Sequence, residues 1–326
     1  MMHALRLLLG RVTGIAFAIL AIATINFVLV HSAPGDPALV IAGQSGATDA
    51  KFIEQVRADY GLDRPYLVQL GTYLGKVVQL DLGYSYRQRR AVSELILERL
   101  GPTLLLTLSA FVLSLVGGVL FGALAGRRHG SWSDLTISMM ALLFYATPVF
   151  WLGLMLVLVF SIQLEWLPAF GYSNMRSGTF GTFDQAVDVA RHLVLPAVTL
   201  SAIYMAVYTR LMRSSLIEVQ HEDHVRTARA KGLTEAAILR HHMLRNAAVP
   251  VITFAGLQAG ALIGGAVVVE TVFAWPGLGR LTFEAVTARD YPVLLGLFLV
   301  TSILVIAVNL LTDLLHRLID PRVVTR

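Results

Sequence analysis

Cysteine is absent from this sequence of 326 residues, and charge is scarce at 14%. The first absence excludes disulfides and thiolate metal sites. The second excludes an ordinary soluble domain, in which about a quarter of residues are charged. Catalytic signatures are missing as well. No Gly-x-x-x-x-Gly-Lys-Ser/Thr loop occurs: Gly71 to Val77, Gly-Thr-Tyr-Leu-Gly-Lys-Val, has the wrong spacing and no hydroxyl. The chain is therefore not expected to hydrolyse ATP itself. Neither Gly-x-Ser-x-Gly nor His-Glu-x-x-His appears, which leaves an intramembrane hydrolase without a candidate centre. His221, Glu222, Asp223 and His224 lie within one helical turn and read as a solvated face rather than a metal site. His241 and His242 are adjacent, so on a helix they diverge and cannot chelate together.

What is abundant is apolar surface, at 56% of residues, gathered into runs. Uncharged stretches long enough for the hydrocarbon core, about 17 to 25 residues, are Val12 to Gly35, Gly101 to Gly126, Leu135 to Leu164, His192 to Thr209, Asn246 to Val269 and Tyr291 to Thr312. They predict an all-α integral membrane protein with six transmembrane helices. The first run is longer than the core of a secretory signal, and Ser32-Ala33-Pro34 makes a poor cleavage site, so it reads as a retained anchor. Glu270 and Asp313 sit at the margins of the runs. A carrier driven by protons or sodium needs ionisable groups inside its spans, so the driving force is expected to come from elsewhere.

Placing both termini in the cytoplasm makes four inner pieces basic: His3 to Arg11, Arg127-Arg128-His129, Arg210 to Arg245, and the tail with Arg317, Arg322 and Arg326. The long segment between spans one and two also carries basic residues, but long translocated regions largely escape this rule. That segment, Asp36 to Arg99, has helical periodicity. Thr48 can cap a helix with Phe52, Ile53, Val56 and Tyr60 on one stripe, ended by Gly61. A second stripe, Tyr66, Leu70, Tyr73, Leu74 and Val77, follows Pro65. Together they predict a small helical lobe on the outer face. A second outer loop, Glu165 to Arg191, is rich in Gly, Ser, Thr and Phe and shows no period; it reads either as a partner-facing loop or as a solvated connector.

Glycine recurs every fourth residue in two spans, at Gly118, Gly122 and Gly126, and at Gly256, Gly260 and Gly264. Such ladders leave a bare stripe against which a neighbouring helix packs closely. For Gly256, Gly260 and Gly264 the alternative is a span that lines a translocation path and slides. Pro148 and Pro196 each remove a backbone donor inside a run and are expected to bend or loosen it.

The basic loop from Glu218 to Arg245 reads helix, glycine, helix. The first helix would pass through Val225 to Lys231 and stop at Gly232, which tolerates the left-handed conformation that closes helices. Thr234 can cap the second, with Glu235 well placed against its dipole, and this helix runs directly into the apolar stretch at Asn246. A rigid cationic hairpin joined to a span could carry a push from a soluble partner into the bilayer.

The loop also resembles the ATPase-coupling motif of the membrane-spanning permeases of binding-protein-dependent ABC importers, in the dipeptide, oligopeptide and nickel class. The general motif begins Glu-Ala-Ala with a glycine six residues after the Glu; here those positions hold Arg226-Thr227-Ala228 and Gly232. Where it closes with Ile-x-Leu-Pro, this chain has His242-Met243-Leu244-Arg245, a departure also similar to the peptide branch. Further strings resemble that branch: Pro34-Gly35-Asp36-Pro37, Asp81 to Ser85, Pro102-Thr103-Leu104, Leu195-Pro196-Ala197, Glu270 to Gly279, Ala288 to Pro292 and Asp320-Pro321-Arg322.

The resemblance implies the type I ABC importer permease fold in a bacterial inner membrane. It implies residues 1–101 as an N-terminal region, 102–318 as a permease core with its coupling loop at 218–245, and 319–326 as a tail. It implies a homologous second permease, two ABC ATPase subunits that bind ATP and magnesium in this chain's stead, an extracytoplasmic solute-binding protein, surrounding lipid and no nucleic acid. The coupling residues it carries over are Arg226, Thr227, Ala228, Arg229, Ala230, Lys231 and Gly232, with Leu233 and Thr234 completing the turn. Family members carry dipeptides, longer peptides, glutathione or nickel, and nothing in these spans selects among them. The rival expectations are a stand-alone channel or secondary transporter and, less favoured, a membrane enzyme.

Overall fold

A computed structural model describes residues 2–32, 51, 53–54, 57–58, 63–174 and 181–319. The expected helix from Thr48 to Gly61 falls largely outside the described residues, as do Pro34-Gly35-Asp36-Pro37 and the tail beyond residue 319. The described helices are α1 (Met2–His31), α2 (Tyr66–Val78), α3 (Val92–Arg127), α4 (Trp132–Ala146), α5 (Val149–Gln163), α6 (Thr182–Val219), α7 (Asp223–Ala230), α8 (Glu235–Gln258), α9 (Ala261–Val272), α10 (Leu278–Ala288) and α11 (Tyr291–Ile319). One short antiparallel pair, β1 (Tyr84–Ser85) and β2 (Arg90–Ala91), precedes α3.

The described part of each uncharged run is mostly helical, but not each is one rod. Among the described residues, α3, α6 and residues 291–312 of α11 are single helices long and apolar enough to cross a membrane. The third run is a pair, α4 and α5, bent by 107°, and the fifth is a pair, α8 and α9, bent by 66°. The first contributes a shorter apolar helix, Thr13–Leu29. Pro148 stands at the first break as the N-cap of α5, in accord with its lack of a donor. Pro196 departs from expectation: α6 continues through it as one helix. Leu195, Pro196 and Ala197 are buried on neighbours, which hold the helix together where one bond is missing. That helix also starts at Thr182, ten residues before the uncharged run, so the connection between α5 and α6 is shorter than expected. Asp184 in its first turn favours this early start.

The chain divides into two compact units, residues 1–101 with 277–307 and residues 102–276 with 308–326. In the first, Val92, Leu95 and Ile96 pack with Leu278, Leu281, Ala285, Val293, Leu294 and Leu297. The stripe after Pro65 forms α2, and Val77 packs with Ala23 of α1 and Leu299 of α11. Phe27 of α1 lies 5.6 Å from the Tyr73 ring, so α2 rests on an apolar helix. Asp290 accepts a hydrogen bond from the Ser85 hydroxyl, and burial raises its carboxyl above the ordinary range.

In the second unit the ladder on α3 sets the packing. A methyl group at Gly118 would come within 2.4 Å of Tyr208 Cβ, and one at Gly122 within 2.5 Å of the Thr209 carbonyl oxygen. Glycine there lets the backbones of α3 and α6 nearly touch. The opposite face of α3 exposes Leu104, Leu108, Val112, Val116, Leu120 and Leu124, one every fourth residue. In water such a stripe is a liability; against lipid it costs nothing. Glu270, expected at the margin of an uncharged run, is fully buried in α9 and accepts a 2.7 Å bond from Thr103. Trp275 donates its indole N–H to the Pro102 carbonyl at 2.9 Å, tying the same part of α3 to the turn after α9.

Candidate functional site

The basic loop folds into a closed hairpin built from local signals. Helix α7 ends in a Schellman turn: Gly232 N–H donates to Arg229 O at 2.9 Å and Leu233 N–H to Ala228 O at 3.3 Å, with Gly232 at φ +78°. Thr234 then takes an extended conformation, and its hydroxyl accepts the Ala237 N–H at 3.3 Å, capping α8. The second arm continues without a break from Glu235 to Gln258 and contains a π-helical turn at Leu239–Met243. The second arm of the hairpin and the first half of an apolar stretch are thus one helix.

Val225 and Ala228 on α7 are buried and pack with Ile238, Met243 and Ala247 on α8. Ala228 therefore faces the chain's own core, whereas Ala230 lies on the exposed side. Arg229 grips Glu235 across the turn, Nε to Oε1 at 2.8 Å and Nη2 to Oε2 at 3.3 Å, and this contact holds the Glu235 carboxyl below the usual carboxylate range. Arg226 is differently placed. Its side chain is 70% exposed and, among the described residues, pairs only with Asp223, at 3.8 Å. Arg226, Thr227, Arg229, Ala230, Lys231, Gly232, Leu233 and Thr234 lie on the exposed surface of the hairpin, Arg229 with its guanidinium bonded to Glu235. A small cationic knob held on a rigid stem can seat in a partner's groove and pair with acids at its rim; it has no means of bond-making.

Behind the knob lies a brace that sequence reasoning missed. Arg213 of α6 donates through Nε and Nη2 to the two oxygens of Asp134, the second at 2.8 Å. Asp134 also accepts the Gly130 N–H at 3.0 Å and faces His129. Gln220, just past α6, donates to the Gly126 carbonyl at 3.1 Å. The ends of α3, α4 and α6 nearest the hairpin are thus tied together. The available signal was two opposite charges at the margins of the third and fourth runs. Asp134→Ala is expected to strip the partly exposed Arg213 guanidinium of two charge-assisted hydrogen bonds and cost about 2 kcal/mol, read as a drop in the melting temperature of the detergent-solubilised chain.

The second glycine ladder is divided by the bend. Gly256 is buried in α8, Gly260 is buried at the break, and Gly264 is exposed on α9 with open space where a side chain would go. The three do not share one face of one helix.

Two family descriptions match the sequence: binding-protein-dependent transport system inner membrane component over residues 118–325, and the N-terminal portion of binding-protein-dependent transport system membrane components over residues 4–107. Similar proteins include a putative peptide transport system permease protein of Brucella suis, 39% identical across 97% of this chain and 98% of that protein. A dipeptide transport system permease of Alkalihalophilus pseudofirmus is 38% identical across 92% and 93%. A glutathione transport system permease of Escherichia coli is 40% identical across 98% and 99%. Among solved structures, an inward-facing methionine ABC transporter, MetNI, matches with a TM-score of 0.55 at 19% identity, over 69% of this chain and 96% of that one.

Proposed function

Because the chain belongs to the family of binding-protein-dependent transport system inner membrane components, we infer that it is the membrane-spanning permease subunit of an ATP-driven importer for small peptides or a chemically similar solute. The peptide class rests on relatives named for peptide, dipeptide and glutathione transport. Six spans cross the inner membrane: α1, α3, the α4 and α5 pair, α6, the α8 and α9 pair, and α11. The termini and the hairpin lie in the cytoplasm, and the lobe carrying α2 lies outside. A homologous permease pairs with this chain, two ATPases dock below and a binding protein delivers solute from outside.

The observation that carries this reading is the hairpin's construction: a buried apolar seam and a Schellman turn hold a cationic knob on a helix that runs on into a span. Docking of Arg226, Thr227, Arg229, Lys231 and Leu233 in an ATPase groove would let nucleotide-driven motion reach the span. Ala228 contributes from inside, by letting α7 lie close on α8. ATP and magnesium are bound by the ATPases, and this chain performs no hydrolysis. The test is purification from native membranes in mild detergent. ATPase subunits and a second permease are expected to accompany the chain, and solute movement in vesicles is expected to require ATP. A lone homo-oligomer that transports without ATP would overturn the reading.

A further inference from the structure

His224 lies on the solvated face of α7 that the sequence pattern suggests, but it is only partly exposed and both of its ring nitrogens have neighbours. Its Nδ1 is 3.0 Å from Glu222 Oε2, and its Nε2 is 3.0 Å from the amide nitrogen of Asn246. With the ring proton on Nδ1 the geometry is self-consistent: Nδ1–H donates to the carboxylate and Nε2 accepts from Asn246 Nδ2. The same amide nitrogen donates to the His242 carbonyl at 3.1 Å, and His224 Nε2 lies 3.3 Å from that oxygen. His224, Asn246 and the His242 carbonyl thus form one polar junction between the knob and the stem.

The position of the junction matters. Val225 and Ala228 fasten α7 to α8 by apolar contact, which resists separation but has no direction and yields to sliding. Hydrogen bonds are directional and fix the register. Asn246 sits immediately beyond the π-helical turn, and the helix runs on unbroken to Gln258. A displacement of α7 is therefore passed to the span at Asn246. Arg229 and Glu235 pin α7 to α8 at the turn, and the junction pins the opposite end of α7; without it that end can swing about the turn while α7 stays docked.

We propose that His224, acting through Asn246, is the positioning residue that transmits motion between the coupling hairpin and the fifth span. This rests on the reading of the hairpin as the ATPase docking site. A signal must then pass through the same junction in the other direction, from a binding protein seated outside to the ATPases within.

The complete complex is reconstituted in vesicles, and ATP hydrolysis is measured with and without the importer's own binding protein, purified with its bound solute. His224→Ala is expected to keep its ATPases and its basal hydrolysis but lose at least fivefold of the stimulation by binding protein. His224→Gln, whose side-chain oxygen can accept from Asn246, is expected to recover most of it. Asn246→Ala should match His224→Ala, and the double variant should be no worse than either, because both remove one interaction. Normal stimulation in His224→Ala and Asn246→Ala, or losses that multiply in the double variant, would overturn the proposal. Failure of the docking reading is seen separately: Arg226→Glu would then retain its ATPases and its stimulation, whatever the His224 variants do.

Discussion

Gly232→Val is expected to leave the protein in the membrane at its normal level and to reduce uptake by more than tenfold. Among the described residues, no atom beyond the chain neighbours lies within 4 Å of where a side chain would begin at Gly232, so the effect is not a clash. It comes from the backbone, which holds φ at +78°. A left-handed conformation costs an ordinary residue about 1–2 kcal/mol, and a β-branched one is worse placed there. The helix would then end otherwise, the bonds to Arg229 O and Ala228 O would be lost, and Thr234 would no longer point the stem correctly. Because this is a surface turn, the spans should insert as before. Membrane fractionation and solute uptake measured on the same cells separate the two effects; normal uptake would remove the turn from the mechanism.

Gly122→Val should fail at an earlier stage, in folding. A side chain there meets the Thr209 carbonyl oxygen at 2.5 Å and Met212 Cβ at 2.6 Å, and the first of these is backbone, which cannot rotate away. Helices α3 and α6 would have to separate, opening gaps along a buried seam that includes Tyr208, Met212 and Leu216. Overpacking of this kind costs about 3 kcal/mol or more. Quantified membrane extracts are expected to hold several-fold less protein, with a lower melting temperature in detergent. Gly264→Ala is the contrast, since that position is exposed and opens on empty space. It should accumulate normally, so any loss of uptake there would report on the translocation path rather than on packing.

The two ladders also mark the limit of what sequence could reveal. Both have the same spacing, yet only the one on α3 lies along an unbroken helix, because the bend near Gly260 turns the other out of register. Period alone does not announce a bend without proline. The hairpin was readable in detail because its signals are local: a glycine where α7 stops, a threonine two residues on and an acid in the next first turn. Its internal contacts were not. That Ala228 faces inward depends on Ile238 and Met243, and that Arg229 is committed to Glu235 depends on the closed turn. The brace was least legible, since Arg213 and Asp134 meet across 79 residues of chain. Helix α6 misled for a simpler reason: Asp184, Asp188 and Arg191 interrupt hydropathy without interrupting the helix.

On the proposed reading, ATPase subunits dock on the exposed face of the hairpin from Arg226 to Thr234. The natural absence of cysteine makes a direct measurement clean. Single cysteines at Arg226, at Lys231 and, as a control, at the exposed Phe183 are each treated with a short thiol-to-amine cross-linker in native membranes. The account predicts a product joining this chain to an ATPase subunit from positions 226 and 231, with a yield that changes on adding ATP, and none from position 183. Hairpin cysteines that yield no such product while ATPases co-purify with the chain would contradict it.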